Sequence, residues 1–120
     1  LNICFVWHMH QPDYKDHLTG QYKMPWVRLH AIKDYLDMVH MLTDFPQIRQ
    51  TFNLVPSLID QLEDYANATE PLDRHQAVTL KETLIDGDRL FILERFFDAN
   101  VDRMVARSSY YLQLLTRKNQ

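Results

Sequence analysis

His8 and His10, two positions apart and followed at once by Gln11 and Pro12, are the residues of this 120-residue chain best suited to chemistry. Two neighbouring imidazoles can bind a metal, move a proton, or hydrogen-bond a polyhydroxylated ligand. On the pair alone three readings stay open: satisfied core residues, substrate contacts, or metal ligands. A metal site needs at least a third ligand, and His17, His30, His40 and His75 fall at no other strand end. Gln11 adds a group that donates and accepts at once, which turns the balance toward sugar or amide recognition. With Gly20 and Gly87 the only glycines, there is no phosphate-binding loop. A Ser-His-Asp pattern and a CxxC pair are also missing, and no motif asks for a cofactor.

Positioning these groups falls first to the run Ile3-Cys4-Phe5-Val6-Trp7, whose β-branched, aromatic and small residues suit a strand buried on both faces. Side chains two apart on a strand share a side, so His8 and His10 project together. Pro12 has no N–H for the ladder and stops the strand, which leaves the histidines at its C-terminal end. In parallel α/β architectures that end is where sites are built. Residues 13–24 follow as a polar connection, and loops leaving that end of a barrel strand carry function more often than others. Pro25 then opens a helix. Leu29, Ile32, Leu36 and Val39 mark its apolar face, and Tyr35, Met38 and Leu42 widen it. Phe45-Pro46 ends it.

Residues 48–55 alternate Ile48, Gln50, Phe52 and Leu54 with Arg49, Thr51, Asn53 and Val55, the pattern of a second strand. Strand, helix and strand predict a right-handed βαβ unit with parallel strands and Asn53 near the C-terminal end of the second. Pro56-Ser57 starts a further helix with Leu58, Ile59, Leu62, Tyr65 and Ala66 on its apolar side. Residues 67–75 turn polar around Pro71 and read as a surface loop and boundary. The remainder is helical, interrupted at Asp86-Gly87-Asp88, and holds no third strand. The expected class is α/β: a βαβα unit over 1–66 and a helical segment over 67–120, within one partial domain spanning 1–120.

A net charge of −3 without a basic run argues against nucleic acid or an anionic membrane as the main partner. No apolar run nears the ~20 residues that span a bilayer, and the start lacks the features of a signal peptide, so the default compartment is the cytoplasm. Cys4, the only cysteine, reads as a small inert thiol inside the first strand. The sequon Asn67-Ala68-Thr69 carries little weight, since such tripeptides arise by chance. A first residue that is not Met, and a polar close at Arg117-Lys118-Asn119-Gln120, suggest a piece of a larger chain.

Among aromatic residues that could stack on sugar, Trp7 alternates away from His8 and is expected to pack beneath the helices, while Trp26 stands beside Pro25 just after the polar connection. Retaining glycosidases need two carboxyl groups about 5–5.5 Å apart. Glu63, Glu82 and Glu94 lie in helices and Glu70 in a loop, so none follows a strand end. Asp13 is the only acid next to the histidines, and a solvated loop role suits it better. The catalytic pair is therefore expected outside these residues.

The block Trp7-His8-Met9-His10-Gln11-Pro12 resembles the first signature region of glycoside hydrolase family 57. The likeness continues in order through Met24-Pro25-Trp26-Val27-Arg28-Leu29-His30, Thr51-Phe52-Asn53-Leu54-Val55-Pro56-Ser57-Leu58 and Glu94-Arg95-Phe96-Phe97-Asp98-Ala99-Asn100. The resemblance implies the N-terminal portion of an incomplete (β/α)7 barrel acting on α-glucans or malto-oligosaccharides with retention and without a metal. α-Amylases, 4-α-glucanotransferases, branching enzymes and amylopullulanases belong to that family. It implies that His10, with His8 and Gln11, lines the sugar site, and that the catalytic Glu and Asp lie in later regions supplied by the rest of the barrel. Trp26 joins them as a candidate substrate contact. Two other classes stay open. One is a metal-dependent carbohydrate deacetylase or mannosidase-like barrel with zinc on His8 and His10. The other is a non-catalytic module that keeps a degenerate barrel strand.

Overall fold

The computed structural model describes residues 2–120 and divides into two units, one running up to Ala77 and the other Val78–Gln120. The first unit is built on two short strands, β1 (Val6–Met9) and β2 (Thr51–Leu54), which pair in parallel with Val6 opposite Thr51, His8 opposite Asn53 and Met9 opposite Leu54. The ladder is extended at both ends, where Thr51 N–H donates to Phe5 C=O and Val55 N–H to Met9 C=O. Parallel strands need a long crossover, and here it is helical. α1 (Trp26–His30) passes through a π-helical turn, Ala31–Tyr35, into α2 (Leu36–His40) and ends in a 3-10 turn, Met41–Asp44. Pro25 stands just before α1, and Phe45, ahead of Pro46, leaves the helical region with φ −131° and ψ 63°.

Among the described residues these two strands form the whole sheet, and the strand read as buried on both faces is not. Val6 keeps 61% of its surface and Trp7 44%, while Met9 alone of β1 is buried. The reason is architectural: a two-stranded sheet covered by helices on one side leaves its other face and outer edges open. Trp7 therefore does not pack beneath the helices, and its indole N–H donates instead to Gln50 Oε1. Cys4 is likewise exposed, not enclosed.

The core gathers Met9 from β1, Val27 from α1 and Leu58 from α3 (Pro56–Asn67), with Tyr14, Tyr35, Met38, Phe52, Val55, Leu62 and Tyr65 packed around them. The crossover helix presents a different side from the one read in its spacing. Leu29, Ile32, Leu36 and Val39 are exposed, Ile32 at 67%, whereas Val27, Tyr35 and Met38 face inward. A π turn accommodates more residues than an α turn, so Val27 and Tyr35, eight positions apart, share the inward side and the 3.6-residue stripe drifts to the outside. α3 follows expectation in part: Pro56 occupies its first turn, Leu58 is fully buried, and Leu62 and Tyr65 line the core, but Ile59 and Ala66 are exposed and Gln61 is buried in their place.

The polar connection 13–24 folds back on itself. Asp16 Oδ1 accepts from Leu18 and Thr19 N–H at 3.0 and 3.4 Å, and Gly20 takes φ 73°, a conformation that favours glycine. A buried carboxylate ties this unit together. Asp73, in the stretch read as a surface loop, is 1% exposed. It accepts from Arg28 Nε at 2.9 Å, Tyr65 Oη at 3.1 Å and Gln76 N–H at 2.8 Å. Burial opposes its ionisation, but the Arg28 guanidinium and these donors outweigh that and hold its carboxyl below the usual range.

α4 (Arg74–Thr79) crosses the division between the units. In the second unit α5 (Asp86–Arg95) begins where the sequence suggested an interruption. Acidic residues complement a helix N-terminus, and Asp88 caps this one, accepting from Ile85 N–H at 3.4 Å and Lys81 Nζ at 2.7 Å. A π-helical turn, Val101–Val105, and α6 (Ser109–Lys118) complete it. Val105 is buried, and the Phe97 and Tyr111 rings lie 5.4 Å apart, with Lys118 Nζ 5.1 Å from the Phe97 ring centre.

Candidate substrate site at the strand ends

β1 ends at Met9, so His8 lies within the ladder and His10 one residue beyond it. The period-two spacing brings their rings together, stacked with centroids 5.9 Å apart and planes 13° from parallel. Both side chains are exposed. His8 is oriented from the neighbouring strand, where Asn53 Oδ1 stands 2.9 Å from its Nδ1. An amide oxygen only accepts, so in the neutral ring Nδ1 carries the proton and Nε2 is left to accept from a hydroxyl. Asn53 was legible as a strand-end residue, and the parallel register makes it the direct partner of His8.

Gln11 is held at both ends of its carboxamide. Tyr14 Oη donates to Oε1 at 3.1 Å, and Nε2 donates to Tyr35 Oη at 3.0 Å. Of the sequence-predicted site residues, His8 and His10 meet directly and Gln11 follows them in the chain. Trp26 stands half-buried at the first position of α1, joined to none of the three by a hydrogen bond or ring contact among the described residues. Tyr14 and Tyr35 were not singled out as site residues. The available signal, for Tyr35 alone, was that a phenol on an apolar helix face needs a partner for its hydroxyl.

The main chain at Gln11-Pro12 is pinned from α3. Gln61, buried at 3% exposure, donates through Nε2 to Pro12 C=O at 3.0 Å and to Ser57 C=O at 2.7 Å. Its Oε1 accepts from Tyr14 N–H at 3.0 Å. Ser57 Oγ adds a long bond of 3.4 Å to Gln11 C=O. Three of these four hydrogen bonds tie α3 to the residues that follow the histidines, so the segment leaves the strand in one fixed direction.

A polar cavity of about 210 Å³ lies beside this segment, lined by Asp13, Lys15, His17, Tyr22, Asp60 and Asp64 among others. Two of its three carboxylates, Asp64 and Asp13, are engaged by neighbouring groups. Asp64 Oδ2 accepts from Lys15 Nζ at 2.6 Å and Tyr22 Oη at 2.8 Å, and these bonds, Lys15's first, hold its carboxyl below the usual range. Burial, with Asp64 alongside, pushes the Tyr22 phenol well above its ordinary value. Asp13, the acid nearest in sequence to the histidines, accepts from Lys15 N–H at 2.9 Å through one oxygen and contacts His17 Nε2 at 2.8 Å through the other. Among the described residues no three His, Cys, Asp or Glu side chains converge as metal ligands would. No helix there is long and apolar enough to cross a membrane.

These observations meet an independent one. The model of glycosyl hydrolase family 57 matches residues 4–118, nearly the whole chain. The chain belongs to that family, whose chemistry is glycoside hydrolysis or transglycosylation on glucans. No curated protein and no solved structure matches it.

Proposed function

We propose that this chain is the N-terminal part of the catalytic barrel of an α-glucan-active enzyme, where His8, His10, Gln11 and Trp26 contact the sugar. The observation that carries this reading is the stacked His8–His10 pair at the C-terminal end of β1, with His8 oriented by Asn53 of the parallel β2. Imidazole acceptors and a fixed carboxamide suit a ligand whose surface is all hydroxyl groups. The reaction proceeds with retention, its nucleophile and acid supplied from outside these 120 residues along with the remaining barrel strands. In support of that division of labour, Asp13 is the only acid beside the histidines in sequence, and a retaining mechanism needs two carboxyl groups.

The test is the product profile of the whole enzyme carrying this chain, incubated with one pure linear malto-oligosaccharide. Products both shorter and longer than the substrate make it an α-glucan transferase, and shorter products alone make it a hydrolase. An unchanged substrate would overturn the α-glucan reading.

A further inference from the structure

Gln11 is the one candidate sugar contact whose side chain is gripped on both sides by phenols, and the two phenols come from different places. Tyr14 is three residues downstream in the connection after β1, and Tyr35 is 24 residues away on the crossover helix. Both are half-buried and both pack against the Met9–Val27–Leu58 core, so neither ring can swing away without opening it. Desolvation raises the Tyr14 phenol above its ordinary value, so the hydroxyl stays protonated as a donor at any physiological pH. Tyr35 closes the π-helical turn Ala31–Tyr35. One residue fewer there would rotate its side chain about 100° relative to α1 and carry the hydroxyl away from Gln11. A long, flexible glutamine held in this way keeps one Nε2–H and part of its Oε1 acceptor capacity for a ligand, already oriented before binding.

We propose that Tyr35 and Tyr14 are positioning residues that set the Gln11 carboxamide for a sugar hydroxyl. This rests on the reading of Gln11 as a sugar contact, and two separate measurements keep the claims apart. The first needs no substrate: the Gln11 side-chain amide resonances of the protein, followed by NMR in wild type, Tyr35→Phe and Tyr14→Phe. The wild type should show a slowly exchanging pair displaced from free-glutamine shifts, and each variant should move it toward the free values with faster exchange. Unchanged resonances in both variants would overturn the proposal whatever the substrate is.

The second is kinetic, in the whole enzyme with a malto-oligosaccharide. Tyr35→Phe should raise KM about tenfold with kcat changed less than about twofold, the mark of lost binding common to ground and transition states. In a Gln11→Ala background the same substitution should add less than about twofold, because its effect runs through Gln11. An equal penalty in both backgrounds would overturn positioning and leave a structural tyrosine. Gln11→Ala with unchanged KM, beside altered resonances in the first measurement, would overturn the sugar-contact reading alone.

Discussion

Leu58 has no exposed surface and meets Met9 and Val27 at the point where strand, crossover helix and α3 converge. Truncation to alanine should cost about 3 kcal/mol, because the lost transfer energy is joined by a cavity that three fixed elements cannot collapse. A urea titration followed by circular dichroism checks this. Asp73 tests a different kind of stability. Its carboxyl is held below the ordinary range in the folded state, so its contribution is complete above the unfolded value and lost as pH falls through the folded one. Acid titration of the wild type should therefore show a loss of stability below about pH 4 that Asp73→Asn lacks. At neutral pH the same variant should be weaker by about 3 kcal/mol, since it leaves the half-buried Arg28 guanidinium without its anion. The His8–His10 pairing was legible because strand periodicity is two and needs only neighbours. The Arg28–Asp73 pair was not, because its partners are 45 positions apart and one lies in a stretch whose composition looked solvated.

At the scale of elements, the crossover helix shows where periodicity succeeds and fails. Its start at Pro25 and its end at Phe45-Pro46 follow from backbone chemistry that acts locally. Its buried side does not, because the π turn breaks the assumption of 3.6 residues per turn on which any apolar stripe is drawn. Deleting the exposed Ile32 should restore α register and turn either Val27 or the Tyr35–Met38 side away from the core. The expected loss is about 3 kcal/mol, comparable to emptying a core position, and differential scanning calorimetry reads it. In the second unit, Asp86-Gly87-Asp88 looked like an interruption because Asp and Gly are poor helix-interior residues. The same residues are favourable at a helix start, where Asp88 satisfies Ile85 N–H. Asp88→Ala should reduce helicity over Asp86–Arg95 and destabilise this unit by about 1–2 kcal/mol, visible as faster amide exchange in that helix.

For the whole molecule, the outward apolar residues of the crossover helix and the open edges of the sheet dominate behaviour in solution. Leu29, Ile32, Leu36, Val39, Val6 and Trp7 are all exposed, and large apolar side chains gathered at a surface favour association. Two parallel strands with free edges also offer backbone groups to other chains. Residues 1–120 alone should therefore bind a hydrophobic dye and self-associate at micromolar concentration. A compact, non-associating monomer in analytical ultracentrifugation would contradict this. They should also show no glycosidase turnover, and detectable turnover would contradict a catalytic pair supplied from elsewhere. The α/β class and parallel pairing were readable from strand–helix–strand order alone. That the first strand would lie open on one face was not, since residue types suited to a buried strand say nothing about how many neighbours it has.

The register that sets His8 against Asn53 joins residues 45 apart in the chain. Contacts so distant form late and slowly, because the intervening chain must surrender its freedom before they repay it. The histidine pair therefore acquires its orientation only when the two strands close on each other, so a ligand that needs oriented imidazoles selects the closed chain. Such a ligand should slow unfolding more than it speeds folding, and the protein's lifetime against proteolysis would then rise and fall with the supply of its sugar.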